Sequence, residues 1–337
     1  MKIGIACDLR SEQVRDPHLP DDSLEEYDSE ETVDAITTAL RAAGHDVVYL
    51  GGGRRFLELA TAGAAGREPI DLVFNNAEGH GSRSREAQVP AVCEVLGLRC
   101  THSDPLTLAL SLDKAVAKRV AASHGVATPP FALIESSEEI ATAALPPLPA
   151  IVKLNHEGSS IGVHRDARCT SRAEVEERAR QLLTDYGEPV LVEQFIDGVE
   201  VTVAILGTGR DARVVGALEI GPQHAPHDTF VYSIEVKRNY REEVEYHCPP
   251  RVPAATLAAI EQCALASYRA LGCRDVGRVD LRLDRTGAPW LIEVNPIPGL
   301  HPEDGDLPVI WQRIGHAYGD LIAEIVQQAM RRPEPAR

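Results

Sequence analysis

Residues 277–299 read GRVDLRLDRTGAPWLIEVNPIPG. Two alternating runs, Arg278 to Leu283 and Trp290 to Asn295, flank the turn-forming segment DRTGA, the pattern of a β-hairpin. With Arg285–Ala288 as the loop, cross-strand partners sum to a constant, so Asp280 faces Glu293 and Arg278 faces Asn295. Strand side chains alternate, and all four therefore share one sheet face. A face holding two carboxylates, an amide and a guanidinium needs partners, because a buried unpaired charge costs several kcal/mol.

Oxygen donors converging in this way suit Mg²⁺, a hard cation that shares its shell with phosphates. A structural ion-pair cluster is the alternative, yet Asp280, Glu293 and Asn295 beside one arginine retain negative charge that a lone guanidinium does not balance. A second constellation is Lys153 followed by Glu157-Gly158-Ser159-Ser160-Ile161-Gly162. A Gly/Ser loop brings backbone N–H groups close to phosphate oxygens, and Lys153 and Lys114, both in mostly apolar surroundings, supply charge for an anion. Third, Glu193 on an edge strand over Leu191–Phe195 offers an acceptor for an adenine amino group, and Glu200 one for a ribose hydroxyl. Both also read as ordinary solvent-facing strand residues.

Working outward, PVLVEQFIDGVEVTVAILG (189–207) predicts two strands turning at Asp197-Gly198, and Thr256–Leu271 an amphipathic helix stopped by Gly272. These form a unit over 189–328, followed by a frayed tail over 329–337. A preceding unit, 103–188, opens with a helix over Leu106–Ala122 carrying Lys114 mid-helix. A strand at Phe131–Ile134 and a hairpin built on AIVKLNHEGSSIGVHR (150–165) follow. Residues 1–102 alternate strands (Lys2–Cys7, His45–Leu50, Asp71–Asn75, Leu98–Thr101) with helices (Glu31–Ala43, Ala87–Leu96), as a Rossmann-like parallel sheet does. The turn after the first strand, CDLRSEQ, has no GxGxxG and does not support dinucleotide binding.

The 337 residues carry a formal charge of −17, which repels nucleic acid and anionic lipid. The apolar run Ile3–Cys7 is too short for a secretory signal and no stretch is long and apolar enough to span a membrane, so a cytoplasmic location is expected. Seven cysteines without CxxC spacing read as reduced. Between Asp8 and Asp34 stand eleven acids and two arginines, a solvated loop or a lid that closes over a substrate.

Five segments, SDPLTLALSLDK (103–114), VKLNHEGSSIGV (152–163), VEQFIDGVEVTVAILG (192–207), 270–299 and IGHAYGDLI (314–322), resemble in order those of the ATP-grasp superfamily, and within it the D-alanine–D-alanine ligase family. The resemblance implies an α/β (α+β) ATP-grasp fold: an N-terminal Rossmann-like domain and two α+β subdomains sandwiching ATP. It implies that Lys114 and Lys153 meet the ATP phosphates and that the loop at Ser159 and Ser160 closes over them. Glu193, Ile196 and Glu200 then contact adenine and ribose, and Lys237 lies on a loop covering the nucleotide. Asp280, Glu293 and Asn295 become ligands of two Mg²⁺ ions, and Arg278 with the Gly299 backbone stabilises an oxyanion.

The departures concern substrates. CDLRSEQVRDPHLPDD replaces the glycine-rich loop whose acid holds the first substrate's ammonium. EGHGSRSREAQVP is one residue shorter than its counterpart, leaving His80, Arg83 and Glu86 near the substrate without assigned roles. Asp304 lies where a small hydroxyl residue binds the second substrate's carboxylate, His301 is expected at the substrate as well, and Arg238 stands in place of a tyrosine. The implied activity is ligation of a small-molecule carboxylate, activated as an acyl phosphate, to an amine other than D-alanine. A mycosporine-type ligase making an imine, an authentic D-alanine–D-alanine ligase and a nucleotide-binding regulator without turnover are the alternatives; the family also allows a homodimer.

Overall fold

In the computed structural model, which describes residues 1–66, 69–224 and 226–333, the first unit comprises β1 (Lys2–Cys7), α1 (Glu30–Ala42), β2 (Asp46–Tyr49), α2 (Gly53–Ala64), β3 (Leu72–Asn76) and α3 (Gln88–Leu96). The strands form a parallel sheet in the order β2-β1-β3. Alternation on β1 sends Ile3, Ile5 and Cys7 toward α1 and Ala6 toward α2 and α3, so both faces are covered. The strand expected at Leu98–Thr101 is reduced to a single bridge from Cys100 to Val73, and α2 went unforeseen.

The expected helix over 106–122 breaks into α4 (Pro105–Leu112) and α5 (Lys114–Ser123). Asp113 leaves helical geometry at φ −81° and ψ 95°, and its carboxylate caps α5 by accepting the Val116 N–H at 3.1 Å. Lys114 therefore opens a helix instead of sitting inside one. β4 (Phe131–Ile134), β5 (Ala150–Leu154), β6 (Arg168–Cys169), α6 (Arg172–Tyr186) and β7 (Val190–Gln194) complete this unit, its antiparallel sheet ordered β4-β7-β5-β6. β7 is thus internal to this sheet, which corrects both its edge assignment and the boundary at 188/189. PVLVEQFIDGVEVTVAILG joins two sheets instead of forming a hairpin, and β5 meets its return strand only at Arg168, leaving 155–167 as a long loop.

The third unit is β8 (Glu200–Leu206), β9 (Arg213–Pro222), α7 (Ile234–Arg238), α8 (Tyr240–Glu243), β10 (Val244–His247), α9 (Ala254–Ala270), β11 (Val276–Leu283), β12 (Pro289–Asn295), α10 (Asp306–Arg313) and α11 (Tyr318–Arg331). Its antiparallel sheet runs β10-β9-β8-β11-β12. One face packs on α5 and α9. The other, through Ala204, Leu206 and Leu218, shares a core with α10, α11 and the β1 face of the first unit. The tail expected from 329 is corrected accordingly: α11 packs on α1, and Arg332 places a guanidinium nitrogen 3.1 Å from buried Asp275. The last four residues of that tail lie outside the described residues. No described helix is long and apolar enough to cross a membrane.

Candidate active site

The 277–299 hairpin pairs Asp280 with Glu293 and Arg278 with Asn295, as the alternation requires. Two departures cancel to give this register. Leu283 pairs with Pro289, so the loop is one residue longer than expected, and a bulge at Asp280/Leu281 leaves Ile292 without a partner. The Asp280 carboxylate accepts from the Arg278 guanidinium at 2.9–3.2 Å, from the Thr202 hydroxyl at 2.6 Å and from the Asn295 amide nitrogen at 2.9 Å. The Asn295 amide oxygen has no hydrogen bond among the described residues. Burial opposes the charge of Glu293, yet Lys114, Lys153 and Arg278 hold its carboxyl well below the usual range. Two carboxylates and an amide oxygen at one corner are a donor set that fits a hard divalent cation.

Beside this corner lies a pocket of about 130 Å³ between the two antiparallel sheets, lined among others by Lys153, Ser160, Ile196, Glu200 and Asp280. Lys153 and Lys118 both reach the buried Glu193 carboxylate, at 2.5 and 2.8 Å. Two ammoniums on one carboxylate leave a positive charge facing the pocket, a setting for an anion. Glu193, expected to accept from an adenine amino group, lines this pocket with its carboxylate paired to both lysines. Glu200 is held by Arg282 at 2.9 Å, and Arg282 also donates to the Ile196, Gly198 and Phe230 carbonyls at 2.8–3.0 Å. Lys118 and Arg282 were missed, although Lys118 follows Lys114 at one helical turn and Arg282 continues the Arg278, Asp280 alternation.

The Gly/Ser loop closes this pocket. Ser159 and Ser160 adopt φ of 48° and 60°, a left-handed turn that non-glycine residues rarely take. The Ser160 hydroxyl donates to the Tyr232 carbonyl at 2.9 Å, and the Ile234 N–H donates to the Val163 carbonyl at 2.9 Å, tying the loop to α7. The Lys237 ammonium, on α7, has no hydrogen bond or ion pair among the described residues.

A second, open cavity of about 800 Å³ adjoins the first and shares with it Lys114, Gly158, Ser159, Lys237, Arg278 and Glu293. Glu86, Arg238, Gly299, His301 and Asp304 line it; His80 and Arg83 do not. Those two substrate assignments are corrected: the His80 ring lies 2.8 Å from Asp8 and 3.2 Å from the Tyr27 hydroxyl, and Arg83 is a surface residue 3.6 Å from Asp113. Arg238 is held by Glu25 at 3.0 Å and Asp21 at 3.4 Å. Asp304 accepts from the Tyr240 hydroxyl at 2.5 Å, with Arg241 at 3.6 Å. Of the 8–34 segment, residues 10–19 are largely exposed, as a solvated loop is, whereas Glu25 to Thr32 line the cavity and Asp22 is wholly buried.

A family model described as D-ala D-ala ligase C-terminus matches residues 120–327. A protein of Bordetella petrii named D-alanine–D-alanine ligase is 36% identical over 298 residues, covering 87% of this chain and 85% of its own. The chain belongs to the D-alanine–D-alanine ligase family. Members of this ATP-grasp family are enzymes that form carbon–nitrogen bonds. An uncharacterized protein of Sinorhizobium fredii, y4sG, is 32% identical over 312 residues, 89% of this chain and 87% of that one. In fold, the chain matches the D-alanine–D-alanine ligase of Bacillus anthracis solved with ATP, at a TM-score of 0.70 and 19% identity over 98% of each chain. It also matches the VanG D-Ala:D-Ser ligase of Enterococcus faecalis, at 0.71 and 20% over 97% of this chain and 99% of that one.

Proposed function

We propose that this family member is a cytoplasmic, ATP- and Mg²⁺-dependent ligase that joins a small carboxylic acid to an amine other than D-alanine. The observation that carries the reading is the wall common to the two cavities, where Lys114, Lys237, Arg278 and Glu293 stand between an anion-binding pocket and a space large enough for two small molecules. A carboxylate is a poor electrophile until phosphorylated, and transfer needs positioning and charge neutralisation more than covalent help from the protein.

In this reading Lys114, Lys153 and the backbone at Ser159–Ser160 hold the triphosphate, and Glu200 with the Ile196 backbone borders the nucleoside. Asp280, Glu293 and the Asn295 amide oxygen hold magnesium, which when bound neutralises phosphate charge. Glu193 keeps Lys153 and Lys118 in place. Arg278 and the Gly299 backbone face the oxyanion formed when the amine attacks the acyl phosphate, and the closed Gly/Ser loop excludes water. ADP release in a matrix of acids and amines tests this. Release must require one of each and magnesium, and Asp280→Asn must abolish it while leaving the fold intact. Release with D-alanine as sole substrate would return the enzyme to the activity its relatives are named for.

A further inference from the structure

The wall of the larger cavity is strongly acidic: ten carboxylates line it against five permanent cations. Most of those acids have partners, Asp28 with Asn76, Glu31 with His301 and Asp306 with Arg278 among them. Glu26, Glu78 and Glu86 differ, since one carboxylate oxygen of each lies within 4.8 Å of the other two. Arg85 pairs with Glu26, whereas Glu78 and Glu86 have no hydrogen bond or ion pair among the described residues. Glu86 is only 8% exposed. Burial and the neighbouring Glu26 push its carboxyl up to about 8, against the pull of Arg85 and Lys114.

Two further polar atoms on this wall point to a ligand. Asn76 is 2% and Ser111 6% exposed, both line the cavity, and among the described residues Asn76 Oδ1 and Ser111 Oγ have no hydrogen-bond partner. Ser111 lies on α4, against which the turn Arg85–Ala87 carrying Glu86 packs. A carboxylate cluster with an idle amide oxygen and an idle hydroxyl is a set of acceptors, and acceptors need a donor.

We propose that Glu26, Glu78 and Glu86, with Asn76 and Ser111, form a recognition site for an organic cation, the distal ammonium or guanidinium of a basic substrate. A primary ammonium offers three donors to a cluster whose carboxylates accept, and the same cavity extends to Arg278, leaving space for an alkyl arm. A divalent metal fits less well, because the Arg85 guanidinium already occupies one flank of Glu26. That the cation belongs to a substrate rests on the ligase reading; that the cluster binds a cation does not.

The test is calorimetric titration of the full chain with lysine, arginine and norleucine, each as both enantiomers, with and without magnesium and ATP. Lysine and norleucine differ in the terminal ammonium alone. The wild type should bind lysine or arginine at least about 10-fold more tightly than norleucine, the value of one charge-assisted contact. Glu86→Gln and Glu78→Gln should compress that ratio toward one while ATP binding reports an intact fold. Equal affinity for lysine and norleucine, or a ratio unchanged in both variants, overturns the proposal, as does saturable Mn²⁺ binding lost in Glu86→Gln but kept in Asp280→Asn. Failure of the ligase reading shows separately, as absent ATP binding.

Discussion

The Asp22 carboxylate, wholly buried, accepts the backbone N–H of Gly162 at 3.0 Å, joining the acidic segment after β1 to the far end of the Gly/Ser loop. The Tyr186 hydroxyl donates to the same carboxylate at 2.7 and 2.9 Å. Nearby, Glu26 lies so close to Gly158 that a Cβ there would sit 2.2 Å from its oxygen. The strap of the first unit thus holds the loop that closes the anion pocket of the second. Asp22→Ala leaves a buried N–H and a hydroxyl unsatisfied, at about 1–3 kcal/mol. The expected result is a lower melting temperature and an ATP dissociation constant raised about 10-fold. Unchanged ATP affinity in the folded variant would detach the strap from the loop.

Lys118 supports the nucleotide pocket from behind. Its ammonium bridges Glu193 and the Leu291 carbonyl at 2.8 and 3.0 Å, joining the second sheet to the hairpin of the third. Lys118→Met leaves Glu193 neutralised by Lys153 alone, and the surplus positive charge disappears. Breaking a buried pair costs roughly 3–5 kcal/mol, so thermal stability should fall, and ATP titration on the folded variant should show at least about 10-fold weaker binding. An ATP affinity equal to the wild type would mean that Lys153 holds the phosphates without help.

The acidic cavity makes stability depend on pH in a definite direction. Burial pushes the Glu86 carboxyl up to about 8 and that of Asp28 up to about 6. In the unfolded chain both lose their protons near ordinary carboxyl values, so above about 4.5 folding takes up protons. The contribution of these two carboxyls to stability is then greatest below that range, declines as pH rises toward 8, and levels off beyond. Glu86→Gln removes the larger contribution and should raise the melting temperature more at pH 8 than at pH 5. An equal rise at both values would show that Glu86 keeps its charge in the folded protein.

What the sequence made legible was what alternation and local punctuation determine. The four-residue constellation of the 277–299 hairpin could be placed because strand period fixes the face, even though an extra loop residue and a bulge had to cancel. Lys114, Lys153 and the Gly/Ser loop were legible together, because lysines in apolar settings are unusual and lend weight to a Gly/Ser turn that alone is commonplace. The role of Glu193 was not, since it depends on Lys118, distant in sequence and brought near only by packing of α5. The membership of β7 in the second sheet was hidden likewise, because an apolar run does not reveal which strands flank it. Glu78 and Glu26 passed unnoticed because their meaning arises only where the loops that follow the C-terminal ends of the parallel strands β1 and β3 converge.

Asp304 bears most directly on which amine is chosen. It lines the large cavity at the mouth of α10, its carboxylate oriented by the Tyr240 hydroxyl at 2.5 Å and flanked by His301 and Arg241 at 3.6 Å. A carboxylate here repels an incoming carboxylate and favours an amine without one, or one whose own cation compensates. Asp304→Ser removes the repulsion and frees Tyr240 and Arg241 to meet an amino-acid carboxylate instead. D-alanine should then become an acceptor, with kcat/KM raised at least about 10-fold over the parent and the KM for ATP unchanged, since Asp304 lies outside the nucleotide pocket. The same acid–amine matrix measured by ADP release reads both quantities. If D-alanine is used equally well before and after the change, selection of the amine resides elsewhere, and the acidic wall at Glu78 and Glu86 becomes the next place to look.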